Sequence, residues 1–115
     1  MKKVLSFIAA MLLFVSCSKT KIVDVASEYL GSPASSVNDI NKYENLEQNQ
    51  LFVASKELKE RIDKELGMLP TTSEEMGRRV TGHLCENYKW ESPDRFVSLW
   101  IDYTENSVEI IDRAK

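Results

Sequence analysis

The feature that most limits the possible folds is a strict alternation of side chains over residues 95–103, RFVSLWIDY. Val97, Leu99, Ile101 and Tyr103 fall on one side of an extended chain, and the residues between them fall on the other. A period of two, built from aromatic and β-branched side chains, is typical of a β-strand with one buried face. The sequence therefore predicts a strand here.

Residues that favour turns precede and follow this strand. A hairpin closed around the first turn places Trp90 opposite Arg95, and one closed around the second places Tyr103 opposite Val108. Both closures put the large apolar residues on one face, whereas a slip of one residue would scatter them over both faces. We therefore predict a three-stranded antiparallel β-meander.

The segment before the meander fits two structures. Its apolar residues lie four apart, which suits a helix and also one face of a strand. Gly77 and Gly82 would each destabilise a helix interior by about 1 kcal/mol relative to alanine. We predict a short helical turn over 73–77 and a strand from about 79 to 90.

Upstream of Pro70, residues 21–69 show helical spacing of apolar side chains. One predicted helix ends at Gly31, and a second begins near Val37. The polar run 47–50 is either a break between helices or the solvated middle of one long helix. The remaining helix is predicted over 51–66. Its apolar stripe consists of Leu51, Ala54, Leu58, Ile62 and Leu66.

These elements predict an α+β fold in which N-terminal helices pack on a small three-stranded antiparallel β-meander. Residues 22–69 form the helical region and residues 70–115 the antiparallel β region, and together 22–115 make one small domain. In this arrangement Leu58, Ile62 and Leu66 cover Val97, Leu99 and Ile101.

The other face of the predicted sheet carries Phe96, Trp100 and Ile111, together with Cys85. Exposed aromatic residues often mark a partner site, so the first three are the candidate partner-binding residues. The alternative is that N-terminal helices cover this face. Cys85 is expected to be a buried small side chain, with a reactive thiol as the alternative.

The N-terminus has the pattern of a secretory signal. Two lysines precede the apolar run Val4 to Val15, which is interrupted only by Ser6. As a helix this run would cover roughly 18 Å, whereas a bilayer core is about 30 Å thick. The segment is therefore too short for a stable span and predicts a signal peptide.

Phe14-Val15-Ser16-Cys17 resembles the lipobox of bacterial lipoproteins, although the pattern prefers leucine where Phe14 stands. The resemblance implies that residues 1–16 are removed and that Cys17 becomes a lipidated N-terminus. Residues 17–21 would then be the tether. The resemblance also implies attachment to a lipid bilayer. The expected location is the outer membrane of a Gram-negative bacterium, with the protein facing the periplasm. An ordinary signal peptide with a nearby cysteine is the alternative.

Charge and chemistry limit the function classes. Residues 1–16 contain two lysines and no acidic residue, so their removal changes the formal net charge from −3 to −5. This balance argues against nucleic-acid binding. His83 is the single histidine, expected beside Asp102 as a surface ion pair, so neither a metal site nor a cofactor is predicted.

The sequence thus predicts a non-catalytic interaction module rather than an enzyme: an accessory subunit of a cell-envelope assembly such as a secretion apparatus, with a protein partner in the envelope. An immunity or inhibitor lipoprotein that neutralises an envelope-acting toxin or enzyme is the main alternative. Binding of a small apolar ligand between helices and sheet also stays open.

Overall fold

The computed structural model describes residues 20–78 and 82–115, with the backbone alone for 75–78. The predicted signal peptide and Cys17 lie outside the described residues. Helix α1 is Ile22–Leu30, and α2 runs continuously through Gln48–Val53, a π-helical turn at Ala54–Leu58, and Lys59–Leu66. The strands of this part of the chain are β1 Ser35–Val37, β2 Ile40–Tyr43, β3 Thr72–Arg78, β4 Leu84–Ser92, β5 Arg95–Asp102 and β6 Ser107–Ala114.

The six described strands form one antiparallel sheet in the order β1-β2-β6-β5-β4-β3, and both helices pack on one of its faces. The predicted fold, N-terminal helices on a three-stranded meander, is therefore wrong. Strands β4, β5 and β6 do follow one another as a meander, but they are only the middle of the sheet. The other three strands come from segments for which the sequence predicted helix or left the structure ambiguous.

The first of these segments is a hairpin where a helix starting near Val37 was expected. Strands β1 and β2 are joined by Asn38 and Asp39, which have φ angles of 51° and 67°. Positive φ at both central residues is what a tight two-residue hairpin turn requires, and Asn and Asp tolerate it better than most residues. Pairing of β2 with β6 then fixes the hairpin in the sheet.

Replacing Asp39 by alanine tests this hairpin. We expect the free energy of unfolding to fall by about 1 kcal/mol, because alanine disfavours the left-handed region. In a helix the same change would instead raise stability by roughly 0.5 kcal/mol. Denaturant unfolding gives the sign, with Asp39→Gly as the matched control that tolerates positive φ. A gain in stability for the alanine variant would contradict the hairpin.

The second segment is β3, which occupies the region predicted as a helical turn at 73–77. Its backbone pairs antiparallel with β4, from Thr72 opposite Lys89 to Arg78 opposite Leu84, with a bulge between Glu74 and Gly77. The ladder of hydrogen bonds to β4 outweighs the weak local helix signal, because intrinsic helix propensity is a weak prior that tertiary pairing overrides.

The register of both central hairpins differs from the prediction by two residues. Arg95 pairs with Ser92 rather than Trp90, so a two-residue loop joins β4 to β5. Val108 pairs with Ile101 rather than with Tyr103. A shift of two leaves every side chain on its original face. The apolar pattern therefore identifies the faces but does not determine the register.

Local sequence explains where the helices begin and end. The polar run 47–50 forms the start of α2. The Glu47 N–H donates to Gln50 Oε1 at 3.0 Å within a capping box. The helix ends at Gly67, which adopts the left-handed conformation with φ 66°. Gly31, which follows α1, also has positive φ.

The core lies between the two helices and one face of the sheet. Leu58 and Ile62 of α2 are fully buried in the same cluster as Val97, Leu99 and Ile101, as the sequence suggested. The rest of this cluster comes from both helices, the neighbouring strands and the segment before α2: Ile22, Val25, Ala26, Leu30, Tyr43, Leu46, Leu51, Ala54, Tyr88, Trp90, Val108 and Ile110.

Candidate functional site

The candidate partner-binding residues Phe96, Trp100 and Ile111 lie on the face of the sheet opposite the two helices. They alternate along β5 and β6 with core residues such as Val97 and Ile110. All three side chains are partly exposed. The alternative from the sequence was that N-terminal helices cover this face. The described helices do not cover it.

Two further apolar residues extend the same surface toward the sheet edge. Ile111 pairs with Ile40, and Ile40 pairs with Val37 in the next strand. Ile40 is 37 % exposed and Val37 is 62 % exposed. We call the surface formed by Val37, Ile40, Phe96, Trp100 and Ile111 the outer face.

Sequence analysis missed Val37 and Ile40 because it placed them in a helix. The signal that would have found them is the Asn38-Asp39 pair between them, which suits a two-residue hairpin turn. A hairpin closed there puts both residues on the same side of neighbouring strands, as directly opposed partners.

Small polar side chains form the floor between the larger residues of the outer face. Ser98 lies between Phe96 and Trp100 along β5, and it is buried despite pointing away from the helices. The side-chain amide of Asn87 donates to Ser98 Oγ at 3.2 Å and to the Leu99 carbonyl at 3.0 Å. These hydrogen bonds give the buried Asn87 amide group and the Ser98 hydroxyl partners within the sheet.

Cys85, also predicted for this face, is buried at the start of β4, as the sequence predicted. It pairs in the sheet with Asp102. Burial restricts access of oxidants and electrophiles to its thiol. The structure therefore favours the structural interpretation of this cysteine.

Charged groups at one end of the outer face are matched within the protein. The Arg113 guanidinium lies over the Phe96 ring, 5.1 Å from its centroid, and Lys115 Nζ is 2.9 Å from Glu91 Oε2. The exposed ion pair contributes little to stability. Two more charged side chains lie on the same face, Glu109 opposite Trp100 and Lys89 opposite Ser98.

The start of the domain is fastened to the sheet a few residues after Cys17. Arg95 Nη2 donates to the Thr20 carbonyl at 2.7 Å, and the Arg95 guanidinium also binds both carboxylate oxygens of Asp112. The Ile22 N–H donates to Asp112 Oδ2 at 2.9 Å. The Asp112 hydrogen bond raises the pKa of Arg95, so its guanidinium stays charged. Thr20 is thus held in place.

A second polar cluster surrounds His83. Its Nδ1 lies 2.8 Å from Asp102 Oδ2, as the sequence suggested, and its Nε2 lies 3.9 Å from Glu105 Oε2. The three side chains have potential metal-ligand atoms within 4.8 Å of one another. The two ring nitrogens face different carboxylates, so the imidazole lies between Asp102 and Glu105.

Asp102 holds this cluster and the following turn together. Burial disfavours its charged form, but hydrogen bonds from the Glu105 and Thr104 amides and from His83 outweigh burial and lower the pKa of Asp102. A lowered pKa in the folded state means that Asp102 stabilises the fold above the unfolded value of about 4. This contribution is lost as the pH falls through the folded-state pKa.

Comparisons of the chain with protein-family models, with curated proteins and with solved structures find no match. Within residues 20–78 and 82–115, neither helix combines the length and the apolar character needed to cross a bilayer.

Proposed function

We propose that this chain is a lipid-anchored envelope protein whose domain is a non-catalytic binding module for another protein, as an accessory subunit of a cell-envelope assembly such as a secretion apparatus. The observation that carries the proposal is the outer face. Its aromatic and aliphatic side chains stay partly exposed on a sheet whose opposite face is buried beneath two helices. Aromatic residues in such positions are typical of interface cores.

The anchor is Cys17, on the strength of the lipobox-like sequence before it. Thr20 is three residues further on and is bound to Arg95. An extended chain spans at most about 3.5 Å per residue, so an acylated Cys17 would hold the domain within roughly 10 Å of the headgroups. Two or more acyl chains suffice for stable attachment. The partner is then a protein of the same membrane or of the space beside it, at the outer membrane facing the periplasm.

The occupant we propose for the outer face is a different protein with an apolar contact surface. Arg113 and Glu91, at the edge of this surface, already have partners within the chain. A complementary partner therefore needs apolar groups to cover Phe96 and Trp100, together with polar groups for Glu109 and Lys89 beside them. Self-association through the same surface would give crosslinks between two copies of this chain.

The anchor is tested by processing in the native host. We expect the mature N-terminus to be an acylated Cys17 in the wild-type chain, and the protein to stay in the membrane fraction. Cys17→Ala is expected to lose the acyl chains and also the cleavage before residue 17, since a lipobox cysteine is acylated before the signal peptide is removed. Mass spectrometry of the N-terminus and membrane fractionation measure this.

The matched control is Cys85→Ala, which removes the other cysteine of the chain and leaves the lipobox-like residues unchanged. This variant should remain membrane-bound. A mature protein that starts at any residue other than 17, or a Cys17→Ala variant that is still cut before residue 17, would contradict the anchor.

A further inference from the structure

Glu86 is an acidic residue on the core-facing side of the sheet. It follows the same alternation along β4 as the buried Tyr88 and Trp90, and it pairs with the fully buried Ile101. Glu86 itself is 6 % exposed. A buried carboxylate loses its hydration and is costly unless partners compensate. An apolar residue would serve packing better at this position.

Neutral hydroxyl groups compensate this carboxylate. Ser55 Oγ lies 3.1 Å from both Glu86 oxygens, the Tyr88 hydroxyl donates to Oε2 at 2.6 Å, and the Tyr103 hydroxyl donates to Oε1. Burial and the Glu86 hydrogen bond raise the pKa of Tyr103 to about 12, so its phenol keeps its proton. Of the described residues, no basic side chain forms an ion pair with Glu86.

A distortion of α2 brings Ser55 to this position. Ser55 lies in the π-helical turn Ala54–Leu58, between the buried residues Leu51 and Leu58. A π turn contains one residue more than an α-helical turn, and such turns occur frequently at functional sites. Here the distorted turn lets a hydroxyl reach the carboxylate while the apolar residues on both sides stay in the core.

Glu86 also lines a cavity between α2 and the sheet. The cavity has a volume of about 320 Å³. This is near the lower end for small-molecule sites, which combine apolar walls with a few polar groups. Phe52 is 64 % exposed, although phenylalanine is usually buried. The lining residues are Gln48, Leu51, Phe52, Ser55, Glu86 and Tyr103.

We propose that this cavity binds a small primary amine with an apolar body, whose ammonium group pairs with the Glu86 carboxylate. The aromatic rings of Phe52 and Tyr103 and the side chain of Leu51 would contact the apolar body. The bound ammonium would supply the cationic partner that Glu86 does not have among the described side chains. The cavity is on the helix side of the sheet, so this inference depends neither on the anchor nor on the outer face.

Calorimetric titration of the full-length chain in detergent with phenethylamine tests the inference. We expect saturable binding of one molecule per chain. 2-Phenylethanol, which has the same aromatic body without the ammonium group, should bind at least tenfold more weakly. Glu86→Gln should weaken phenethylamine binding at least tenfold, because it removes the charge with little change in shape.

The matched control is Glu91→Gln, an exposed carboxylate on the same strand and on the other face, which should leave the affinity unchanged. If Glu86→Gln does not fold, Phe52→Ala takes its place, since this exposed residue is dispensable for the core. We expect Phe52→Ala to bind phenethylamine severalfold more weakly. Absence of saturable phenethylamine binding, equal binding of 2-phenylethanol, or unchanged affinity in the cavity variant would overturn the inference.

Discussion

Replacing Trp90 with alanine is expected to lower the free energy of unfolding by about 3–5 kcal/mol. Trp90 is 1 % exposed, its ring centroid lies 6.2 Å from that of Tyr88, and its Nε1 donates to Asp63 Oδ1 at 2.8 Å. The variant leaves a large cavity and removes a hydrogen bond between β4 and α2. Such a loss is a large share of the 5–15 kcal/mol that is typical of a folded domain. Equilibrium denaturation measures it.

The control for this prediction is Trp90→Phe, which keeps an aromatic ring but has no donor for Asp63. We expect a smaller loss of stability, about 1–3 kcal/mol. A loss below 1 kcal/mol for Trp90→Ala would mean that the residue does not contribute to the core. The assignment of the two faces of the sheet would then be wrong.

The same substitution on the opposite face should have a different effect. Trp100→Ala is expected to reduce recovery of the partner at least tenfold, because large aromatic residues at interface centres contribute about 2 kcal/mol or more to binding. The free energy of unfolding should change by about 1 kcal/mol or less, since Trp100 is partly exposed and lies outside the core cluster. Crosslinked affinity purification from native membranes, with denaturation of the purified variant, measures both quantities.

Phe52→Ala is the control that shows whether loss of any surface aromatic residue reduces partner recovery. Phe52 is exposed on α2, on the helix side of the sheet, and its replacement should leave partner recovery within about twofold of wild type. Equal losses for Trp100→Ala and Phe52→Ala would argue against a specific role for the outer face. A Trp100→Ala variant that fails to fold would show that this side chain has a structural role instead.

Side-chain periodicity predicted some parts of the fold well. The alternation around Leu99 and the spacing of Leu58 and Ile62 identify which side chains meet in the core, because burial selects a face and the face has a fixed period. The same alternation cannot distinguish registers that differ by two residues. The loop that joins Ser92 to Arg95 determines the register, and sequence analysis gave this loop too many residues.

Local signals failed where distant pairing decides the structure. Ser36 and Asp39 resemble a helix start, but they belong to the β1–β2 hairpin, whose second strand pairs with β6, about seventy residues later in the chain. At Asn38 and Asp39 two local tendencies compete, helix capping and positive φ. The residues around Asn38 and Asp39 carry no information about the pairing of β2 with β6, and that pairing resolves the competition.

The candidate sites were predictable to different degrees. The shared face of Phe96, Trp100 and Ile111 follows from alternation once their strands are recognised. The site at Glu86 does not, because it depends on Ser55 and Tyr103 converging from a helix and from the turn after β5. In the sequence, Glu86 is only a polar interruption of an apolar pattern.

Site-specific photocrosslinking in native membranes tests the central claim most directly. A photoreactive benzoylphenylalanine would replace Phe96 on the outer face or, in a parallel strain, Phe52 on α2. The account predicts that position 96 crosslinks to one envelope protein and that position 52 does not. Crosslinks from position 52 alone, crosslinks only to a second copy of this chain, or no crosslink from position 96 would contradict it.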